Sequence, residues 1–82
     1  MGEIDLLVAR RGLIAVVEVK RRTELAAALD AVTYRQRERL RRAARSIVSR
    51  RPEFRDADVR LDLIALAPGR WPRHIRDAWR GD

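Results

Sequence analysis

Three residue types at three positions offer chemistry in this chain: the carboxylates Asp5 and Glu18 and the ammonium of Lys20. Two converging carboxylates beside an ammonium suit a hard divalent cation such as Mg²⁺ or Mn²⁺. Such an ion takes few protein oxygens and keeps positions for water and a phosphate. A neighbouring lysine orients or deprotonates water and offsets charge building on a phosphorane. The reaction this set would serve is phosphodiester hydrolysis.

Convergence depends on the elements that carry these residues. Residues 3–10 and 13–20 are two β-rich runs separated by Arg11-Gly12, and a glycine there supplies the positive φ of a tight hairpin turn. A two-residue turn sets Asp5 opposite Glu18 and Glu3 opposite Lys20, with facing Cβ atoms about 4.5–5.5 Å apart. A four-residue loop keeps that register and a three-residue loop breaks it. Facing carboxylates are destabilising without a cation between them. The bland alternative is a solvated hairpin end with cross-strand ion pairs. Against it, Glu18 and Lys20 follow the apolar run 13–17, as residues at the rim of a buried strand do, and they share a face with Asp5.

Thr33 and Gln36 form a capping box ahead of a helical stripe of Leu40, Ala43, Ala44, Ile47 and Val48, and Pro52 closes that helix. Its other face is cationic: positions 35–51 hold eight arginines and one acid, Glu38. Arg35, Arg41, Arg42 and Arg45 are the candidates for tracking phosphates, since guanidinium forks suit that task; a solvated helix face is the competing reading. Thr23 is placed to cap a short helix over 24–29, residues 58–66 read as a third strand, and 74–79 as a short amphipathic helix. His74, Trp71 and Trp79 are expected in packing or on the surface rather than in catalysis or base stacking.

The 82 residues make one small domain, 46% hydrophobic and 38% charged, which fits an ordered globular protein. A net charge of +7 points to a polyanionic partner, nucleic acid before an anionic membrane surface. With no cysteine there is no disulfide framework, in keeping with a reducing cytoplasm. No apolar run is long enough to span a bilayer, and acidic Glu3 and Asp5 close behind Met1 argue against a signal peptide.

Gly2-Glu3-Ile4-Asp5-Leu6-Leu7 followed by Val17-Glu18-Val19-Lys20 resembles the D…(D/E)-x-K signature of the PD-(D/E)XK nuclease superfamily. The closer resemblance is to the small bacterial UPF0102 (YraN-like) family, similar to Holliday-junction resolvases. It continues through Ala31-Val32-Thr33-Tyr34-Arg35-Gln36, the helix at Leu40-Arg41-Arg42-Ala43-Ala44, then Leu61-Asp62-Leu63-Ile64-Ala65 and Ile75-Arg76-Asp77-Ala78-Trp79. The resemblance implies a restriction-endonuclease-like α/β core, a mixed β-sheet with flanking helices. It implies Asp5 and Glu18 as metal ligands, Lys20 as the catalytic lysine, and DNA, branched or otherwise structured, as substrate. Glu3 and Gln36 are accessory candidates; family members carry a basic residue where Gln36 stands. They also carry a helix and a strand ahead of the Gly-Glu-Ile-Asp segment, so the chain reads as N-terminally shortened.

Two other classes of function remain open: a non-catalytic basic nucleic-acid-binding module and an assembly domain. Both faces of the hairpin carry apolar residues, and the 3–10 strand has no earlier strand to pair with. A homo-oligomer is therefore expected, most simply a two-fold dimer joined through residues 3–10.

Overall fold

The computed structural model describes residues 4–80, so the expected pairing of Glu3 with Lys20 lies outside the described residues. The chain is α/β: a four-stranded mixed sheet with helices, the architecture expected of a restriction-endonuclease-like core. Strands β1 (Leu6–Arg10) and β2 (Leu13–Arg21) form the hairpin, and β3 (Asp58–Leu66) and β4 (Arg73–Ile75) complete the order β1-β2-β3-β4. The β1/β2 and β3/β4 pairs are antiparallel and β2/β3 is parallel. A parallel pair needs a crossover. Helices α1 (Leu25–Asp30) and α2 (Tyr34–Ser49) and a 3₁₀ turn at Pro52–Phe54 provide it.

The hairpin has the expected register. Leu6 faces Val17 and Arg10 faces Leu13, with Gly12 at φ 73° in the turn. That register extends to Asp5 and Glu18, one residue beyond the last paired rung. Strand β2 is apolar from Ile14 to Val17, β-branched at all but Ala15, and all four residues are buried.

The expected capping box of α2 is present. Thr33 Oγ1 accepts from the Gln36 main-chain N–H at 3.1 Å, and Gln36 Oε1 accepts from the Thr33 N–H at 2.9 Å. Leu40, Ala44 and Val48 turn inward at i, i+4 spacing, whereas Ile47 is exposed and Ala43 only half-buried. Arg37 is also inward, because Tyr34 and Trp79 flank its guanidinium at 5.6 and 5.4 Å and its Nη1 donates to the Val32 carbonyl. Two surfaces that accept a cation, aromatic faces and a carbonyl, offset the cost of its burial.

Two expected elements differ. Helix α1 starts from Glu24 rather than Thr23, with no side-chain cap. The expected 74–79 helix is instead strand β4 followed by turns, with Asp77 at φ 52°. Pairing with β3 overrides a helical pattern too short to nucleate by itself: Ile75 faces Leu63 and His74 faces Ile64.

Paired residues in a sheet share a face. Leu7, Val16, Leu61, Leu63 and Ala65 therefore lie on the face that α1, α2 and Trp79 cover, and this is the core. Trp79 closes it, donating from Nε1 to the Leu29 carbonyl at 3.1 Å, while Trp71 is 90% exposed. On the reverse face Leu6 and Val8 stay 47% and 43% exposed, and among the described residues no strand pairs with the outer edge of β1. No helix of the described residues is long and apolar enough to cross a membrane.

Candidate metal centre

Glu18 lies on the helix-covered face of β2, beside Leu63 of β3, and is only 6% exposed. The alternation that buries Val16 buries Glu18 two residues later, so the strand itself aims the carboxylate under α2. Asp5, exposed just ahead of β1, meets it through the backbone. The Asp5 N–H donates to Glu18 Oε2 at 3.3 Å, and the Val19 N–H donates to Asp5 Oδ2 at 2.9 Å. Among the described residues no N–H is seen to donate to Oδ1 of Asp5 or Oε1 of Glu18.

Burial pushes the Glu18 carboxyl above its ordinary value, and the negative charge of Asp5 pushes the same way; the Asp5 N–H and the Lys20 ammonium only partly offset them. A carboxylate so placed gains from a cation. Lys20, half-buried on the same face, joins Glu18 in lining a cavity of about 30 Å³ between β2 and α2, closed by Val32, Gln36 and Leu40. The structure thus brings together Asp5, Glu18, Lys20 and Gln36.

Two carboxylates beside a small cavity with polar walls match what Mg²⁺ takes from proteins, which is one or two carboxylates with the remaining positions held by water and substrate. A cage made wholly of protein is not on offer: among the described residues there is no group of three or more His, Cys, Asp or Glu that could hold a metal ion.

The arginines divide by helix geometry. Arg35, Arg42 and Arg45 are exposed, whereas Arg41 is half-buried and bonded to Glu38 at 2.6 Å. At 3.6 residues per turn, Gln36 and Leu40 put the carboxylates on one flank of α2, and Arg41 and Arg45 fall on the other. Arg35 and Arg42 point outward between the two flanks.

A second buried carboxylate has no role in the expected site. Asp62, fully buried on the reverse face of β3, receives Arg60 through Nε and Nη2 at 2.8 Å each and the Asp77 N–H at 3.0 Å. His74 Nε2 lies 2.8 Å from its Oδ2, and because an ionised carboxylate only accepts, Nε2 carries the proton. Burial alone would raise the Asp62 carboxyl, but Arg60, the Asp77 N–H and His74 together hold it below its ordinary value. The sequence cue was a lone acid inside the apolar run 61–66, two residues after an arginine. In a strand, i and i+2 share a face.

Fold and site together define a small α/β protein that carries a carboxylate pair and a lysine at a cavity between sheet and helix. The sequence model of the uncharacterised protein family UPF0102 matches residues 1–66. A UPF0102 protein of Caulobacter sp. (strain K31) is 68% identical over 79 residues, covering 96% of this chain and 57% of the relative. One from Caulobacter vibrioides (strain NA1000 / CB15N) is 62% identical over 81 residues, covering 99% and 65%. One from Parvibaculum lavamentivorans is 53% identical over 79 residues, covering 96% and 59%. The chain belongs to the UPF0102 family, and it spans about three-fifths of the length of these curated relatives.

Proposed function

We propose that the chain carries the catalytic core of a Mg²⁺- or Mn²⁺-dependent endonuclease acting on DNA, with branched or otherwise structured DNA as the favoured substrate. The observation that supports this best is Glu18: a carboxylate buried beside a second carboxylate, its proton affinity raised, on a cavity it shares with a lysine. A purely structural acid at that depth would have a cation or several donors bound to it, as Asp62 has.

In this reading Asp5 and Glu18 would hold the metal ion, which would polarise the phosphate and make a bound water more acidic. Lys20 orients the attacking water and offsets the negative charge on the phosphorane. The water oxygen bonds to phosphorus and gives up a proton to solvent, the ester P–O bond breaks, and the leaving oxygen takes its proton from solvent. Arg35 and Arg42, with Arg45 beyond them, contact the phosphates of the duplex, consistent with the net charge of +7.

The test is nicking of supercoiled and branched DNA with Mg²⁺, Mn²⁺ or chelator. Cleavage that needs the metal and vanishes in Asp5→Asn supports the reading. DNA binding without cleavage under any metal would instead favour the basic binding module.

We also propose a two-fold homodimer through β1, supported by the exposed Leu6 and Val8 and by an outer edge with which no strand among the described residues pairs. Sedimentation of the 82-residue chain at micromolar concentration tests it. A monomer unaffected by Val8→Lys excludes it.

A further inference from the structure

The cavity beside Glu18 and Lys20 has a third wall residue with polar side-chain atoms, Gln36. Gln36 is the third residue of α2, and the capping box fixes how its amide is oriented. Its Oε1 accepts from the Thr33 N–H at 2.9 Å and lies 3.3 Å from Thr33 Oγ1. An amide flip would set the NH₂ against the Thr33 N–H, two donors facing each other, so the cap permits one orientation. The carbonyl end is therefore held by the helix start. The Nε2 end keeps two N–H donors in a side chain that lines the cavity of the carboxylates.

The size of the cavity limits what those donors meet. One water needs roughly 10–15 Å³ of such volume, and the cavity measures about 30 Å³. It has room for a water molecule or two. Its polar walls are the Glu18 carboxylate, which accepts, and Lys20 and Gln36, which donate; Val32 and Leu40 close the rest. This donor and acceptor set matches an oxygen that both gives and receives hydrogen bonds, which is water.

We propose that Gln36 is a positioning residue of the Asp5–Glu18–Lys20 site, its Nε2 holding the water that attacks the phosphodiester. This rests on the hydrolytic reading, since only there is that water a reactant. The helix cap makes the arrangement rigid: the residue that starts α2 also fixes the site, without rotamer freedom to lose when the water binds.

The experiment uses Gln36→Glu, because glutamate serves a capping box as well as glutamine does while exchanging the two donors for a carboxylate. Gln36→Glu keeps the cap and should unfold, with Mn²⁺ bound, no earlier than wild type, whereas Gln36→Ala loses the cap and should unfold earlier. Calorimetric Mn²⁺ binding should tighten about tenfold in Gln36→Glu, as a third carboxylate joins the pair, and kcat for DNA nicking should fall about tenfold or more with KM unchanged. Equal Mn²⁺ affinity in wild type and Gln36→Glu overturns the placement of Gln36 at the site. Unchanged kcat with tightened Mn²⁺ overturns its positioning role. A wild type that binds Mn²⁺ but cuts no DNA overturns the hydrolytic reading, and with it the role given to the water; the Gln36→Glu affinity then still decides whether Gln36 faces the carboxylates. A wild type without measurable Mn²⁺ affinity overturns both.

Discussion

Glu18 and Asp62 are one rung apart on neighbouring parallel strands, since Val17 faces Asp62 and Glu18 faces Leu63, and they point to opposite faces of the sheet. Both are buried, yet their surroundings are opposite. Asp62 is met by a bidentate guanidinium, an imidazole and a main-chain N–H, and its carboxyl is held low. Among the described residues Glu18 accepts one N–H bond, at 3.3 Å, has another carboxylate as neighbour, and its carboxyl is pushed up. Burial costs an ion much the same in either place. The fold compensates that cost within the chain at Asp62 and leaves it largely uncompensated at Glu18. In the proposed reading the uncompensated acid is the metal ligand, whereas the compensated one is a latch that ties β4 and the following turn to β3.

The comparison breaks most visibly in activity. Glu18→Gln, Asp5→Asn and Lys20→Ala should each lower metal-dependent DNA nicking by roughly 10²–10⁴-fold, with far-UV dichroism unchanged. Asp62→Asn should leave the cleavage rate of the folded fraction near wild type. Equal activity across the first three variants removes the assignment of the site.

Stability should show the reverse order. Asp62→Asn puts an amide against the Arg60 guanidinium and is expected to cost about 3 kcal/mol in urea denaturation. Glu18→Gln removes a desolvated charge and its repulsion with Asp5, so metal-free stability should be unchanged or higher by up to about 1 kcal/mol. A Glu18→Gln chain less stable than Asp62→Asn would reverse the two roles.

The pH dependence has opposite signs at the two carboxylates. With a folded value below the ordinary 3.8, Asp62 contributes stability that is present above 3.8 and lost as pH falls through its lowered value. With a folded value above 4.5, Glu18 keeps its proton longer in the metal-free fold than in the unfolded chain, so stability falls as pH rises from 4.5 through the raised value. Urea midpoints against pH should lose the acid-side decline in Asp62→Asn and the fall above 4.5 in Glu18→Gln. Curves identical to wild type in both would contradict the two assignments.

The smallest expected effect concerns the arginine face. Each lost phosphate contact should make the log–log salt slope of DNA binding about 0.9 shallower. Arg35→Glu and Arg42→Glu should show that change. Arg41→Glu should show less, because Arg41 is already bonded to Glu38 and lies on the flank of α2 away from the carboxylates. A uniform loss across the three would mean that DNA contacts the helix without regard to the site.

Much of this fold follows from local sequence. The Arg11-Gly12 turn with its register, the Thr33–Gln36 box and the strand at 58–66 rest on turn chemistry, a cap and period-two alternation, which act over a few residues. The meeting of Asp5 with Glu18 followed from that register alone. Tertiary structure decided the rest. A hairpin read by itself shows Glu18 at a charged rim, and only α2 packed across β2 makes it a buried acid on a cavity with Gln36. The segment 73–75 became a strand because β3 offered an open edge to it. Arg37 turned into the core because Tyr34, far closer in sequence, and Trp79, 50 residues past Leu29 to which it bonds, came to either side of it. Asp62 found its partners because β4 brought His74 alongside β3 and the turn at Asp77 followed. Burial and its compensation depend on groups distant in the chain, so a sequence can show which residues ionise while the packed fold decides which of those charges is left without a partner.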